Sequence, residues 1–435
     1  MDVHACLADR RRYERQIERL HQRYLLTSRL YELRQSDVSL ATIVIKRGKV
    51  ARLLAREVGE GRYELEPGEL RTIRARHKTR EVFSCRITDL IVHGVVADIV
   101  AEAMEAQLSP RVFSYRKGVA WVMPISELAA YLRAERRKHA DPHARGVYVL
   151  RRDVDSYTDS IPVGATSLLW TMLKGELGDP LPPLVEQVVR ADLRLPDGAV
   201  VCRTRGLPMG QPIASVVANL YLRELDRALE EIPGGFYARY GDDFLFAHPD
   251  PAVARDADAL MDDVVAGLSL TVNEKKKRTS FLTPAGRPSP DWPKAKGASS
   301  VPFLGTHISG DGTVGLDGKK VRLLLRELDE RTTSTVRTLN GADREQAGRA
   351  VCAVVNRALD PQSALTQQKS AVLLRRVVSD RRQLEQLDYW IARLVVKSLT
   401  GRRDVRGFRE IPYRKLRRDW GLVSLVAERN ARRAT

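Results

Sequence analysis

Tyr240-Gly241-Asp242-Asp243 sets two carboxylates side by side where residues 236 to 247 (FYARYGDDFLFA) read as a hairpin, two apolar runs flanking a turn at Gly241 and Asp242. Adjacent acids repel, and a divalent cation such as Mg²⁺, which favours oxygen ligands, relieves that repulsion. On its own the pair reads equally well as a solvated Asp-Asp turn. Asp153 ends the strand-like stretch at 147 to 154 (VYVLRRDV) and supplies a third carboxylate. Three acids on neighbouring strands suit a two-metal site, in which one ion activates a 3′ hydroxyl and the other neutralises a triphosphate and its leaving pyrophosphate. Asp155 and Asp159 compete for that role, because strand alternation sets Asp153 and Asp155 on one face.

These acids need elements to hold them. Residues 10 to 33 place Ile17, Leu20, Tyr24 and Leu25 at helical spacing, an amphipathic helix. Residues 71 to 80 (RTIRARHKTR) carry five basic side chains and no acid, which fits a solvated face or an anion-binding one. Helical patterns follow at 88 to 108, 213 to 229 and 252 to 268. Residues 283 to 300 are rich in Pro, Gly and Ser and read as a loop, with a hairpin around 311 to 318 and helical pattern beyond. His139 and His143 are four apart, but Pro142 between them argues against one helical face and a metal pair.

The 435 residues carry 73 Lys and Arg against 55 Asp and Glu, a formal charge of +18. That surplus favours a polyanionic partner, since phosphate contacts made by basic side chains release counterions; charge alone does not separate RNA, DNA and anionic lipid. Charges break every apolar run before it could span a bilayer, so no membrane partner is expected. Residues 1 to 9 lack a signal-peptide pattern, and Cys6, Cys85, Cys202 and Cys352 form no CxxC pair, which points to a reduced, cytoplasmic protein. The length suggests two or three domains.

Six segments together resemble the reverse transcriptase family: FSYRKG at 113 to 118, RRDVDSYTDSI at 151 to 161, RGLPMGQPIASVVANLYL at 205 to 222, YGDD at 240 to 243, LTVNEKKK at 270 to 277 and FLG at 303 to 305. They stand in the family's order. The resemblance implies an α+β, right-hand polymerase fold: fingers and palm, an antiparallel sheet packed on helices, at 61 to 310, after an N-terminal helical region at 1 to 60. A helical, basic thumb or accessory region follows at 311 to 435. It implies an RNA-directed DNA polymerase, a nucleotidyltransferase using two Mg²⁺ ions, with Mn²⁺ as a substitute. Asp153, Asp242 and Asp243 become metal ligands together with the Val154 carbonyl, and Asp155 and Asp159 become supporting residues. Lys276 matches a lysine that protonates pyrophosphate, with Lys275 and Lys277 as alternatives. Lys78 and Arg80 match positions that hold the triphosphate, where Arg74, Arg76 and Arg86 offer the same chemistry. Tyr157, Thr158, Met209, Gly210 and Gln211 border the nucleotide, Asn219 and Tyr221 lie on a helix behind the palm, and Phe303, Leu304 and Gly305 match the primer grip.

Two positions depart from the family. Met209 replaces a Gln in the loop before Gly210, and Thr158 stands where an aromatic usually excludes the ribose 2′ hydroxyl. Deoxynucleotide preference is therefore an expectation that Thr158 puts in question. Implied partners are an RNA template, such as a dedicated noncoding RNA, the DNA product and deoxynucleoside triphosphates, with self-association or an accessory protein as further options. Within the family, the absence of nuclease, RNase H and retron signatures points to bacterial defence-associated and abortive-infection enzymes. Diversity-generating or intron-like retroelement enzymes, an RNA-synthesising polymerase and an inert RNA-binding palm are the competing readings.

Overall fold

The computed structural model describes residues 1–27, 38–75, 78–138, 146–339, 341–362, 369–402 and 404–434, with backbone alone for 27, 75, 78, 369, 433 and 434. His139, His143 and Arg76 lie outside the described residues, as does the Lys78 side chain. The strands in chain order are β1 (Glu69–Ala75), β2 (Lys78–Ser84), β3 (Val147–Asp153), β4 (Leu193–Arg194), β5 (Val200–Val201) and β6 (Phe236–Tyr240). They continue with β7 (Asp243–His248), β8 (Arg278–Leu282), β9 (Lys296–Ala298), β10 (Ser300–Phe303), β11 (Thr306–Ser309) and β12 (Val314–Leu316). With helices packed on mixed and antiparallel sheets, the fold class is α+β, as expected.

Two compact units divide the chain: Met1–Val119 with Leu150–Phe246 and Ala252–Arg278, and Ala120–Val149 with Ala247–Pro251 and Thr279–Thr435. In the first unit the sheet order runs β6-β7-β3. In the same unit the helix Ile87–Met104 packs against both Arg10–Thr27 and Pro212–Tyr221. That central helix is predominantly apolar and buried over most of its length, with Glu102 exposed near its C-terminal end. The β1–β2 hairpin is antiparallel, and its far end is stapled by the Phe83 N–H donating to the Met209 carbonyl at 2.8 Å.

Helical pattern at 213 to 229 resolves into two helices, Pro212–Tyr221 and Arg223–Glu230, parted at Leu222. The break lets the second helix present Asp226 to Tyr237 and Arg239 of β6, partners that a fully buried carboxylate requires. The YGDD turn forms as expected: β6 ends at Tyr240, β7 starts at Asp243, and Gly241 takes φ +68°, a left-handed conformation costly for other residues.

In the second unit β8 and β9 pair in parallel, and β10, β11 and β12 form an antiparallel meander. The segment 283 to 300 is thus not wholly loop, since Lys296–Ala298 is drawn into the ladder beside β8. Leu304 and Gly305, at φ +47° and +85°, make the two-residue turn between β10 and β11, with both central residues left-handed as a tight hairpin demands. Asp317 caps the helix Gly318–Thr338 by accepting from the Lys319 N–H at 2.7 Å. This helix packs on Arg344–Leu359 and Arg381–Thr400 to give the helical C-terminal region. No helix among the described residues is long and apolar enough to cross a membrane.

Candidate active site

Asp153 is the last residue of β3, and Asp242 and Asp243 straddle the start of β7, so the first unit brings the acids together from strands adjacent in its sheet. Lys276 donates to the Asp153 carboxylate from Nζ to Oδ1 at 2.6 Å. The neighbouring lysine is directed elsewhere: Lys277 Nζ bonds Asp262 at 2.6 Å. Asp155 likewise separates from Asp153. Past β3 the chain turns, and the Asp155 carboxylate accepts from the Asn273 amide at 3.1 Å. Arg151 grips Asp243 in a fork, Nε to Oδ1 at 2.8 Å and Nη2 to Oδ2 at 2.6 Å, the strongest form of side-chain ion pair.

Burial raises the Asp242 carboxyl above its ordinary range, and the Asp153 charge adds to that, against the pull of Lys276 and Asp242's own backbone hydrogen bond. The Lys276 ammonium is held charged to higher pH by its hydrogen bond to Asp153. Among the described residues no three acidic, His or Cys side chains close around one point, and Asp243 is turned toward Arg151. The donor chemistry nevertheless fits a hard divalent cation: the side chains offered are carboxylates, and burial, with the neighbouring Asp153 charge, already raises Asp242.

A cleft of about 540 Å³ opens beside Asp242, lined by Arg80, Tyr157, Thr158, Met209, Gly210 and Gln211 among others. Gln211 is buried, with its Nε2 donating to the Phe83 carbonyl at 3.0 Å and its Oε1 without a partner among the described residues. Of the alternatives to Arg80, Arg86 is committed to Asp89 at 2.9 Å and Glu66 at 2.7 Å. Phe303, Leu304 and Gly305 belong to the second unit, as the β10–β11 turn.

Several supporting contacts escaped the motif reading, which named Asn219 only as lying on a helix behind the palm. Arg239 lies fully buried beneath the YGDD turn, bonding Asp226 twice at 2.6 Å and the Gly241 carbonyl at 3.1 Å. Ser114 Oγ accepts from the Gly241 N–H at 2.9 Å, and Asn219 bonds the Ser114 carbonyl at 2.7 Å. Arginines at 151 and 239 inside otherwise apolar strands were the available signal, since a charge in such a place needs a partner.

The family model for reverse transcriptase (RNA-dependent DNA polymerase) matches residues 76–308. No curated protein matches the chain. Among solved structures, the chain is similar to apo telomerase from Candida tropicalis truncated from its C-terminal domain, at 13% identity and TM-score 0.42, covering 57% of this chain and 55% of that one. It is also similar to apo telomerase from Candida tropicalis, at 11% and 0.46, covering 82% and 68%. Telomerase from Candida tropicalis in complex with a TWJ fragment of telomeric RNA gives 11% and 0.44, covering 89% and 71%. The chain thus spans little more than half the length of the first of these. The family match takes in more than half of the chain, including β3, the YGDD hairpin and Lys276, and the chain belongs to the reverse transcriptase (RNA-dependent DNA polymerase) family.

Proposed function

We propose that the chain is an RNA-directed DNA polymerase that extends a primer with deoxynucleotides by two-metal phosphoryl transfer, with residues 61–310 as fingers and palm and 311–435 as thumb. The observation that carries this reading is the adjoining of Asp153 and Asp242, with Lys276 on Asp153, at the edge of a cleft lined by Arg80. Asp153, Asp242, Asp243 and the Val154 carbonyl would hold the cations, which when bound neutralise triphosphate charge and sharpen a 3′ hydroxyl as nucleophile. Arg80 receives the triphosphate at the exposed end of β2. The bond formed joins the 3′ oxygen to the α-phosphorus, and the bond broken frees pyrophosphate. Lys276, already held as an ammonium, is suited to deliver a proton to that leaving group. Gly206 and Gly210, both at positive φ, shape the loop that carries Met209 and Gln211 to the cleft.

Purified chain with Mg²⁺, a primed RNA template and deoxynucleotides should make DNA, and Asp242→Ala should abolish the product while keeping the melting temperature within a few degrees. Equal synthesis by that variant would remove the catalytic assignment. The biological setting we propose is bacterial antiphage defence, on the resemblance of the sequence, with its helical, basic C-terminal pattern, to defence-associated reverse transcriptases. Phage protection that survives both Asp153→Ala and Asp242→Ala would overturn a defence role for the polymerase. Thr158 favours one second reading, RNA synthesis, which ribonucleotide-only extension would support.

A further inference from the structure

The cleft beside Asp242 contains an exposed aromatic side chain with no role so far. Thr158 contributes little bulk to the wall, and its neighbour Tyr157 cannot substitute for it. The Tyr157 ring is 3% exposed and its hydroxyl donates to the Ala218 carbonyl at 2.5 Å, so swinging it outward would strand a buried polar pair. Tyr115 differs in its exposure. It lines the same cleft as Thr158, Gly210 and Asp242, and it is 60% exposed. Its ring edge lies close to the YGDD turn, since a Cβ on Gly241 would stand 4.0 Å from Cε2. Its phenol oxygen hydrogen-bonds the side chain of Ser215, and both Asp242 and Arg80 lie within electrostatic range of that oxygen.

The backbone accepts strain to hold this ring. Tyr115 has φ +55°, a left-handed conformation that costs a non-glycine residue on the order of 1 kcal/mol and persists only where the surroundings impose it. The preceding residue supplies the constraint: fully buried Ser114 donates to Asn219 Oδ1 at 3.2 Å and accepts from the Gly241 N–H at 2.9 Å, while its carbonyl accepts from Asn219 Nδ2 at 2.7 Å.

We propose that Tyr115 is the sugar-selecting residue: its ring fills the space that a 2′ hydroxyl would need in a nucleotide bound beside Asp242, a role for which Thr158 is too small. The inference rests on the polymerase reading. A pocket that discriminates by steric bulk is worth about 10–200-fold per small group, and the strain at Tyr115 dictates the variants, because glycine and asparagine tolerate positive φ.

The test measures kcat/KM for a deoxynucleotide and for its ribonucleotide counterpart on the full chain. Tyr115→Gly should lower the deoxy-to-ribo ratio by at least about tenfold, and Tyr115→Asn carries the same expectation should the glycine variant not fold. Tyr115→Phe, which keeps the ring, should retain the wild-type ratio, and so should Thr158→Ala. Tyr115→Gly or Tyr115→Asn with undiminished discrimination would overturn the assignment, as would loss of discrimination in Thr158→Ala. Absence of product from the wild-type chain with either sugar would instead overturn the polymerase reading, and this inference with it.

Discussion

Arg151 and Lys276 each give one site carboxylate a cationic partner, while Asp242 has no ion pair among the described residues. The consequence is a division of labour: Asp242 lines the cleft, while Asp153 is held by Lys276 and Asp243 by Arg151. Burial lowers the affinity of the Arg151 guanidinium for its proton, but the fork with Asp243 more than restores it, so the pair stays charged. The pair is largely shielded from water, so losing Arg151 costs some stability by leaving Asp243 unpaired. Its main effect is on where Asp243 points. Arg151→Ala should lower the primer-extension rate by about 10–100-fold, the usual cost of a misplaced catalytic group. The melting temperature should move by only a few degrees and the KM for template-primer should stay near wild type. A rate equal to wild type would show that Asp243 needs no such support. Arg151 itself was visible as a charge in an apolar strand, yet its partner 92 residues away could not be named from spacing.

At the scale of elements, the central helix Ile87–Met104 is buried along nearly its whole length, and it carries His93 into that interior. His93 is 2% exposed, its Nδ1 has no partner among the described residues, and burial pushes its pKa down to about 3. An unfolded histidine takes up a proton below about pH 6.5, whereas His93 in the folded chain resists until about pH 3. The unfolded state therefore binds more protons across that window, and stability that is complete above pH 6.5 is lost progressively as the pH falls toward 3. Between pH 7 and 5 the loss due to His93 should reach roughly 2 kcal/mol. Denaturant unfolding followed in the first unit should show that loss in the wild type and much less of it in His93→Leu; parallel pH profiles would refute it. The sequence reads as a helix at 88 to 108, although a run this evenly apolar carries little 3.6-residue period. The burial of this helix depends on the flanking helices Arg10–Thr27 and Pro212–Tyr221, which only packing reveals.

For the whole molecule, the +18 charge is not all available to a partner. Within the second unit, Arg402 pairs with Glu410 at 2.8 Å, Arg417 with Asp388 at 3.3 Å, and Lys415 with Glu345 while lying over the Trp420 ring. Part of the basic run at 401 to 435 thus holds its own helices together. If the chain binds single-stranded RNA through at least four phosphates, the association constant should fall roughly 20-fold between 0.1 and 0.3 M salt. Filter binding across that range checks it, and Lys415→Ala should leave the salt slope unchanged while lowering the melting temperature. A shallower slope in Lys415→Ala would return that residue to the RNA-facing set. By itself the sequence determined what is local: the YGDD turn that needs glycine at 241, the strand ending at Asp153, the helical runs and the order of the family segments. Only the tertiary structure decided which lysine reaches Asp153, that Arg151 takes Asp243, that Arg239 braces the turn and that Tyr115 rather than Tyr157 is exposed in the cleft. The reason is that spacing encodes backbone geometry over a few residues, whereas these contacts join positions brought together by packing, where burial makes an unpartnered charge too costly to leave.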